Sequence, residues 1–343
     1  MTWTETDAVA AMRYLAMRFL VIAVFLVLPI ASICDTEVKH WLDRAEQAID
    51  TLNYEGTVVF THGDDVDTFE VLHGHEAGLT RERVVSLNGK AREISRSGDL
   101  VSCALSGTRF ILVDPGRKRR GLPSTIPSNL DALESYYVFS MAGVDRVADR
   151  SCRLIRIMPR DDFRFGYEIC ADERTGMPLK SVVMDRQGVV VEQSIVTSLV
   201  IHEEPIPGDR FRTHVISDGR DAFATSPSHR GVDALETGEP DEGWTIDRIP
   251  PGFRVTENVR YPLTADSDPV QHMVLSDGVA TVSVFIADPG SESAAFEGLT
   301  ESGAMHVLAR VLDDRQITVV GQVPNQTVSL IGESVRYRGG MDE

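Results

Sequence analysis

Tyr54-Glu-Gly-Thr-Val-Val-Phe-Thr-His62, followed by Gly63-Asp64-Asp65, is the stretch on which the fold turns. Alternate residues of an extended chain point to opposite faces, so this pattern reads as a strand ending in a tight turn. Similar segments follow at short intervals: Asp67–Gly74, Thr80–Leu87 before Asn88-Gly89, Ala91–Ser95, Leu100–Leu105, and Arg109–Val113 before Asp114-Pro115-Gly116. Evenly spaced short strands with polar turns predict a meandering antiparallel sheet or open barrel. Upstream the period changes. Val38, Trp41, Leu42, Ala45, Ala48, Ile49 and Leu52 recur at three- and four-residue steps, which predicts an amphipathic helix over 35–51.

Downstream, Ser128–Phe139 is expected to form a second helix, with Leu130, Leu133, Tyr136, Tyr137 and Phe139 on its apolar side. Strands resume at 145–147, 152–158, 164–171, 179–184 and 190–201. No βαβ unit repeats. The fold class is therefore α+β: one curved antiparallel sheet with helices on its concave side or mouth. Residues 206–243 are rich in Pro, Gly, Asp and Ser and read as a linker, with a candidate strand at 211–216. A smaller α+β unit spans 244–335. Its expected strands are 244–248, 253–261, 270–276, 279–286, 316–320 and 327–331, with a helix at 302–312.

The chain begins with a basic segment containing Arg13 and Arg18, then the apolar run Phe19–Leu28, then small residues at Ala31-Ser32. That order predicts a secretory signal over residues 1–33, with an uncleaved anchor formed by the full run to Ile33 as the alternative. Its apolar core would rise only about 15 Å as a helix, against about 30 Å of bilayer hydrocarbon. Acylation at Cys34 is disfavoured because Ile33 stands where a lipoprotein signal needs a small residue. Export predicts a periplasmic location and permits disulfides. The formal charge of −18 argues against nucleic acid as a partner, since no broad basic face is available.

Two predicted strands flank the polar turn at 159–163, and a hairpin centred near Asp161 sets Cys152 opposite Cys170. A Cys152–Cys170 disulfide is the preferred pairing, and two small apolar residues packed side by side would need the same register. Catalytic constellations are not recognisable, and the chain reads as a non-enzyme without a cofactor. His73-Gly-His75 lacks an identifiable third metal ligand, and Asp64-Asp65, Asp161-Asp162 and Asp313-Asp314 fall where turns are expected. Arg117, Lys118, Arg119 and Arg120 form a basic patch that suits an anionic lipid or an acidic partner segment. Tyr136, Tyr137 and Phe139 are candidates for lining a lipid cleft.

Several of these peptides, taken in order, resemble the MucB/RseB family. They are Tyr54–Phe60, Glu82-Arg-Val-Val-Ser-Leu-Asn-Gly-Lys-Ala-Arg-Glu93, Arg146–Arg150, Pro159-Arg-Asp-Asp-Phe-Arg-Phe-Gly-Tyr167 and Asp172–Lys180. In the second unit they are Pro250-Pro-Gly-Phe253, Ser276–Phe285 and Thr318–Pro324. The resemblance implies a LolA/LolB-like half-open antiparallel β-barrel with helices in its concave face, over 35–205, and the family's C-terminal domain over 244–335. It also implies binding to the periplasmic domain of an inner-membrane, RseA/MucA-like anti-sigma factor. Such binding shields the anti-sigma factor from site-1 proteolysis until lipopolysaccharide or another lipid relieves the block. Cys170 departs from the large apolar residue that family members often carry. A lipid or lipoprotein carrier is the alternative reading, and self-association is left open.

Overall fold

The computed structural model describes residues 31–98, 100–105, 108–112, 130–212, 240–241, 243–262, 268–288 and 297–338. The signal segment up to residue 30, the basic patch Arg117–Arg120 and most of the linker lie outside these. Helix α1 (Ala31–Thr51) starts four residues before the expected Asp35. Its apolar stripe is buried throughout: Val38, Trp41, Leu42, Ala45, Ala48 and Ile49.

The helix lies against an antiparallel sheet that curls around it. The strands are β1 (Asn53–His62), β2 (Asp65–Glu76), β3 (Leu79–Ser86), β4 (Arg92–Ser97), β5 (Leu100–Leu105), β6 (Thr108–Leu112), β7 (Tyr137–Val147), β8 (Arg150–Pro159), β9 (Gly166–Asp172), β10 (Pro178–Met184) and β11 (Val190–His202). They form one 11-stranded sheet in the order β6-β5-β4-β3-β2-β1-β11-β10-β9-β8-β7. Every link but one is a neighbour in sequence. The exception joins β1 to β11 and brings the two halves of the meander together. Edges β6 and β7 are not paired with each other among the described residues, so the barrel is half open. Gly56, in the stretch that opens the sheet, sits where β11 bulges against β1: a Cβ there would lie 2.3 Å from the Ser198 carbonyl oxygen. The glycine permits that close approach.

The expected helix over 128–139 is corrected to a short helix α2 (Leu130–Leu133) followed by β7. Tyr137-Val-Phe139 carries strand-favouring side chains, and pairing with β8 overrides a four-residue apolar spacing. The β8–β9 hairpin is also displaced: Cys152 pairs with Asp172, and Leu154 with Cys170. The turn is centred one residue later than expected, which moves each partner by two and keeps both cysteines on one face. They are diagonal neighbours, bonded as Cys152–Cys170 with Cα atoms 5.3 Å apart.

The second unit contains β12 (Trp244–Ile246), β13 (Arg254–Pro262), β14 (Pro269–Ser276), β15 (Thr281–Ala287), β16 (Gly298–Ser302), β17 (Met305–Leu312), β18 (Arg315–Gly321), helix α3 (Asn325–Ser334) and β19 (Val335–Tyr337). Six strands form a sheet ordered β13-β14-β15-β18-β17-β16, and β12 pairs with β19. Helix and strand were expected the other way round here: 305–312 is a strand and 325–334 the helix. Met305-His-Val-Leu-Ala-Arg-Val-Leu312 is apolar at helical and alternating positions alike, so its period does not discriminate. Pairing with β16 and β18 decides it. Val328 and Ile331 of α3 then cap the core of Met273, Leu275, Val282, Val284, Ile317 and Val319.

Candidate functional site

Four separated peptides, around Tyr137, Arg164, Pro251 and Asp277, meet where the second unit joins the first. Arg164, in the β8–β9 loop, is the centre. Its side chain has no exposure to solvent, and neither has that of Asp277, in the β14–β15 turn. Arg164 Nε donates to Asp277 Oδ2 at 2.5 Å, Nη1 donates to Asp161, and Nη2 donates to the carbonyl of Pro251. Tyr137 Oη donates to the same Asp277 oxygen at 3.1 Å. The other carboxylate oxygen accepts from the amides of Val279 (2.9 Å) and Ala280 (2.8 Å), which shapes the turn itself.

The guanidinium carbon lies 4.7 Å from the ring centre of Tyr136 and 4.9 Å from that of Phe253. Burial disfavours its charged form most, yet the hydrogen bond and charge of Asp277, with Asp161 adding, outweigh burial and raise its pKa. Burial, with Tyr167 and Asp277 nearby, likewise pushes the Tyr137 hydroxyl up and keeps it a neutral donor. Gly252 adopts a left-handed φ of +84°, and a Cβ there would lie 2.5 Å from the Tyr136 ring and 2.9 Å from Arg164 Nη2. The notch is therefore open only to glycine.

A second contact rests on Glu192 of β11. Its Oε2 accepts from the amide of Ala304 (2.9 Å) and from Gln322 Nε2 (3.0 Å). Gly303, at φ +59°, presses against His62 and Glu192. Thr327, in the first turn of α3, donates to the Phe163 carbonyl at 2.8 Å, and Gln326 donates to that of Asp162. Val279 and Ala304 of the second unit are buried within the hydrophobic core of the first.

The concave face is the other candidate site. Val71, Val84 and Ile94 are successive cross-strand partners on that face. Their exposure rises from 2% through 7% to 41% with distance from β1, so Ile94 is the exposed end of this apolar row among the described residues. On the convex side, a 3-10 turn (Gly208–Phe211) straps down the start of the linker. Phe211 and Ile206 cluster with Leu72, and Arg210 and His202 both reach Glu55, at 2.6 and 3.1 Å.

The structure places the three aromatic residues expected in a lipid cleft as follows. Tyr137, the first residue of β7, is fully buried at the joint, Tyr136 packs on Arg164 just before the strand, and Phe139 of β7 lies partly buried against the core. His73 is buried with Nδ1 2.7 Å from the Leu52 carbonyl oxygen and its ring stacked on Tyr54, while His75 meets Thr80. Among the described residues, no cluster of three or more side chains is placed to hold a metal. Arg164, Asp277, Glu192, Gly252 and Gly303 escaped the sequence reading as site residues. The only trace was that 159–167, 250–253 and 276–285 each carried the family resemblance. Nothing in one dimension showed that they touch.

A half-barrel wrapped on a helix, seated through a buried ion pair on a second α+β unit, defines a two-domain binding protein. Residues 37–215 match the MucB/RseB N-terminal domain and residues 238–336 the MucB/RseB C-terminal domain. The chain belongs to the MucB/RseB family. It is 30% identical to the sigma-E factor regulatory protein RseB of Haemophilus influenzae, over 95% of this chain and 100% of that protein. It is 29% identical to the sigma factor AlgU regulatory protein MucB of Pseudomonas aeruginosa, over 88% and 91% respectively. The complex structure of Pseudomonas aeruginosa MucA/MucB superposes with a TM-score of 0.64 at 25% identity, covering 89% of this chain and 100% of that one.

Proposed function

We propose that this protein is a periplasmic, non-catalytic negative regulator of a sigma-E-type envelope stress response. It binds the periplasmic domain of a membrane anti-sigma factor and shields it from the first proteolytic cut, and envelope lipid releases it. The observation that carries this reading is that both family domains are present in order and joined as one body, and that relatives matched over most of their length are sigma factor regulatory proteins. A relative of the same architecture has been solved in complex with MucA(peri). The exposed Ile94, in line with Val84 and Val71 on the concave face, supports the lipid arm, since each buried methylene contributes about 0.8 kcal/mol.

The test is a protection assay with the mature chain and the periplasmic domain of a cognate anti-sigma factor exposed to its site-1 protease. Slower cleavage that recovers on adding lipopolysaccharide is the expected result. Unchanged cleavage, with no complex at micromolar concentration, overturns the regulator. The same open concave face favours a second reading, a lipid or lipoprotein carrier, which predicts stoichiometric lipid transfer between vesicles instead.

A further inference from the structure

We infer that the Arg164–Asp277 and Glu192–Ala304 contacts form one two-state lock: the second domain is either fully seated on the half-barrel or released from it, with no stable intermediate tilt. Two of the three acceptors of Arg164, Asp277 and the Pro251 carbonyl, belong to the second domain. A small tilt would stretch these bonds while leaving the guanidinium and the carboxylate out of water. An unpaired buried charge costs more than either a made pair or two hydrated ions, so the partly opened joint is the high-energy arrangement.

The surfaces also fit in one way only. Gly252 and Gly303, at separate contacts, each let the backbone close to where a Cβ would clash with the other domain. Asp277 links turn shape to docking, because one oxygen holds the Val279 and Ala280 amides and the other receives Arg164 and Tyr137. Val279, positioned by that turn, is itself buried in the core of the first domain. Losing Asp277's partner therefore loosens the apolar seat shared with Ala304. The device stands on the joint alone and does not depend on which partner the protein binds.

Amide hydrogen exchange on the full mature chain tests it through reciprocal variants. Asp277→Asn keeps an oxygen for the turn amides but removes the charge facing Arg164. The expected result is at least tenfold faster exchange at Ala304, in the other contact, with the β8 and β15 core amides as protected as in wild type. Glu192→Ala is expected to speed Val279 and Ala280 to the same extent, again without loss of core protection. Acceleration confined to the contact that was mutated would overturn the lock and leave two independent hinges. If Asp277→Asn also loses core protection, Glu192→Ala decides alone, by whether Val279 and Ala280 respond.

Discussion

Asp172 is almost wholly withdrawn from water, and four hydrogen bonds converge on it. Arg150 donates through Nε and Nη2 at 3.2 and 2.9 Å, and Thr175 through its amide and hydroxyl at 3.0 and 2.6 Å. Burial pushes its pKa up, but the Arg150 and Thr175 bonds together outweigh burial and hold it below the ordinary carboxylate value. The unfolded chain therefore takes up this proton first as pH falls below about 4. The resulting stability is complete above that pH and is lost as pH falls through the folded pKa. Asp172→Asn is expected to cost roughly 1–3 kcal/mol at neutral pH. Urea melts of wild type and variant should draw together as pH falls below about 4; a constant gap at every pH would contradict this account.

His73 acts earlier on the same acid limb. Burial, the largest influence, lowers its pKa despite the Leu52 carbonyl, so its contribution is full above about 6.5 and fades as pH falls toward the folded value. A residue of a different kind, Ala77, occupies the left-handed region at φ 49° before Gly78 in the β2–β3 turn. Asn-Gly is the favoured pair for such a turn, and Ala77 is exposed. Ala77→Asn should raise stability by about 0.5–1 kcal/mol in a thermal melt.

Among the elements, the β8–β9 hairpin shows what pattern reading can and cannot resolve. Alternation placed both cysteines on one face, which survives any shift of register by two. Alternation did not fix the turn centre, whose loop carries Arg164 and Phe165 against Asp277 and His306 of the second domain. The Cys152–Cys170 bond closes a loop with a sequence separation of 18. Replacing both cysteines by alanine is expected to destabilise the chain by about 2–4 kcal/mol in denaturant titrations. Helix α1 was legible for a simpler reason: Val38, Trp41, Leu42, Ala45, Ala48 and Ile49 repeat at the spacing of one face, and that face is buried. In β17 the period was ambiguous, and cross-strand partners decided the outcome.

For the whole molecule, the joint should make unfolding cooperative. Both domains share one apolar seat through Val279 and Ala304, so calorimetry of the wild type is expected to show one transition. Gly252→Ala places a methyl group against Tyr136 and Arg164 and should split that transition into two. A single, undivided peak in the variant would show that the joint does not couple the domains.

Local periodicity was enough for the antiparallel meander, the amphipathic helix before it and the order of two units, and the family followed from peptides taken in order along the chain. The site belongs to the folded molecule. Arg164 and Asp277 stand 113 residues apart, and Glu192 and Ala304 stand 112 apart. Each looks like an ordinary turn or strand residue until the fold removes water from around it. A charge becomes a lock only when burial makes its partner indispensable, and burial belongs to the assembled molecule rather than to any stretch of chain.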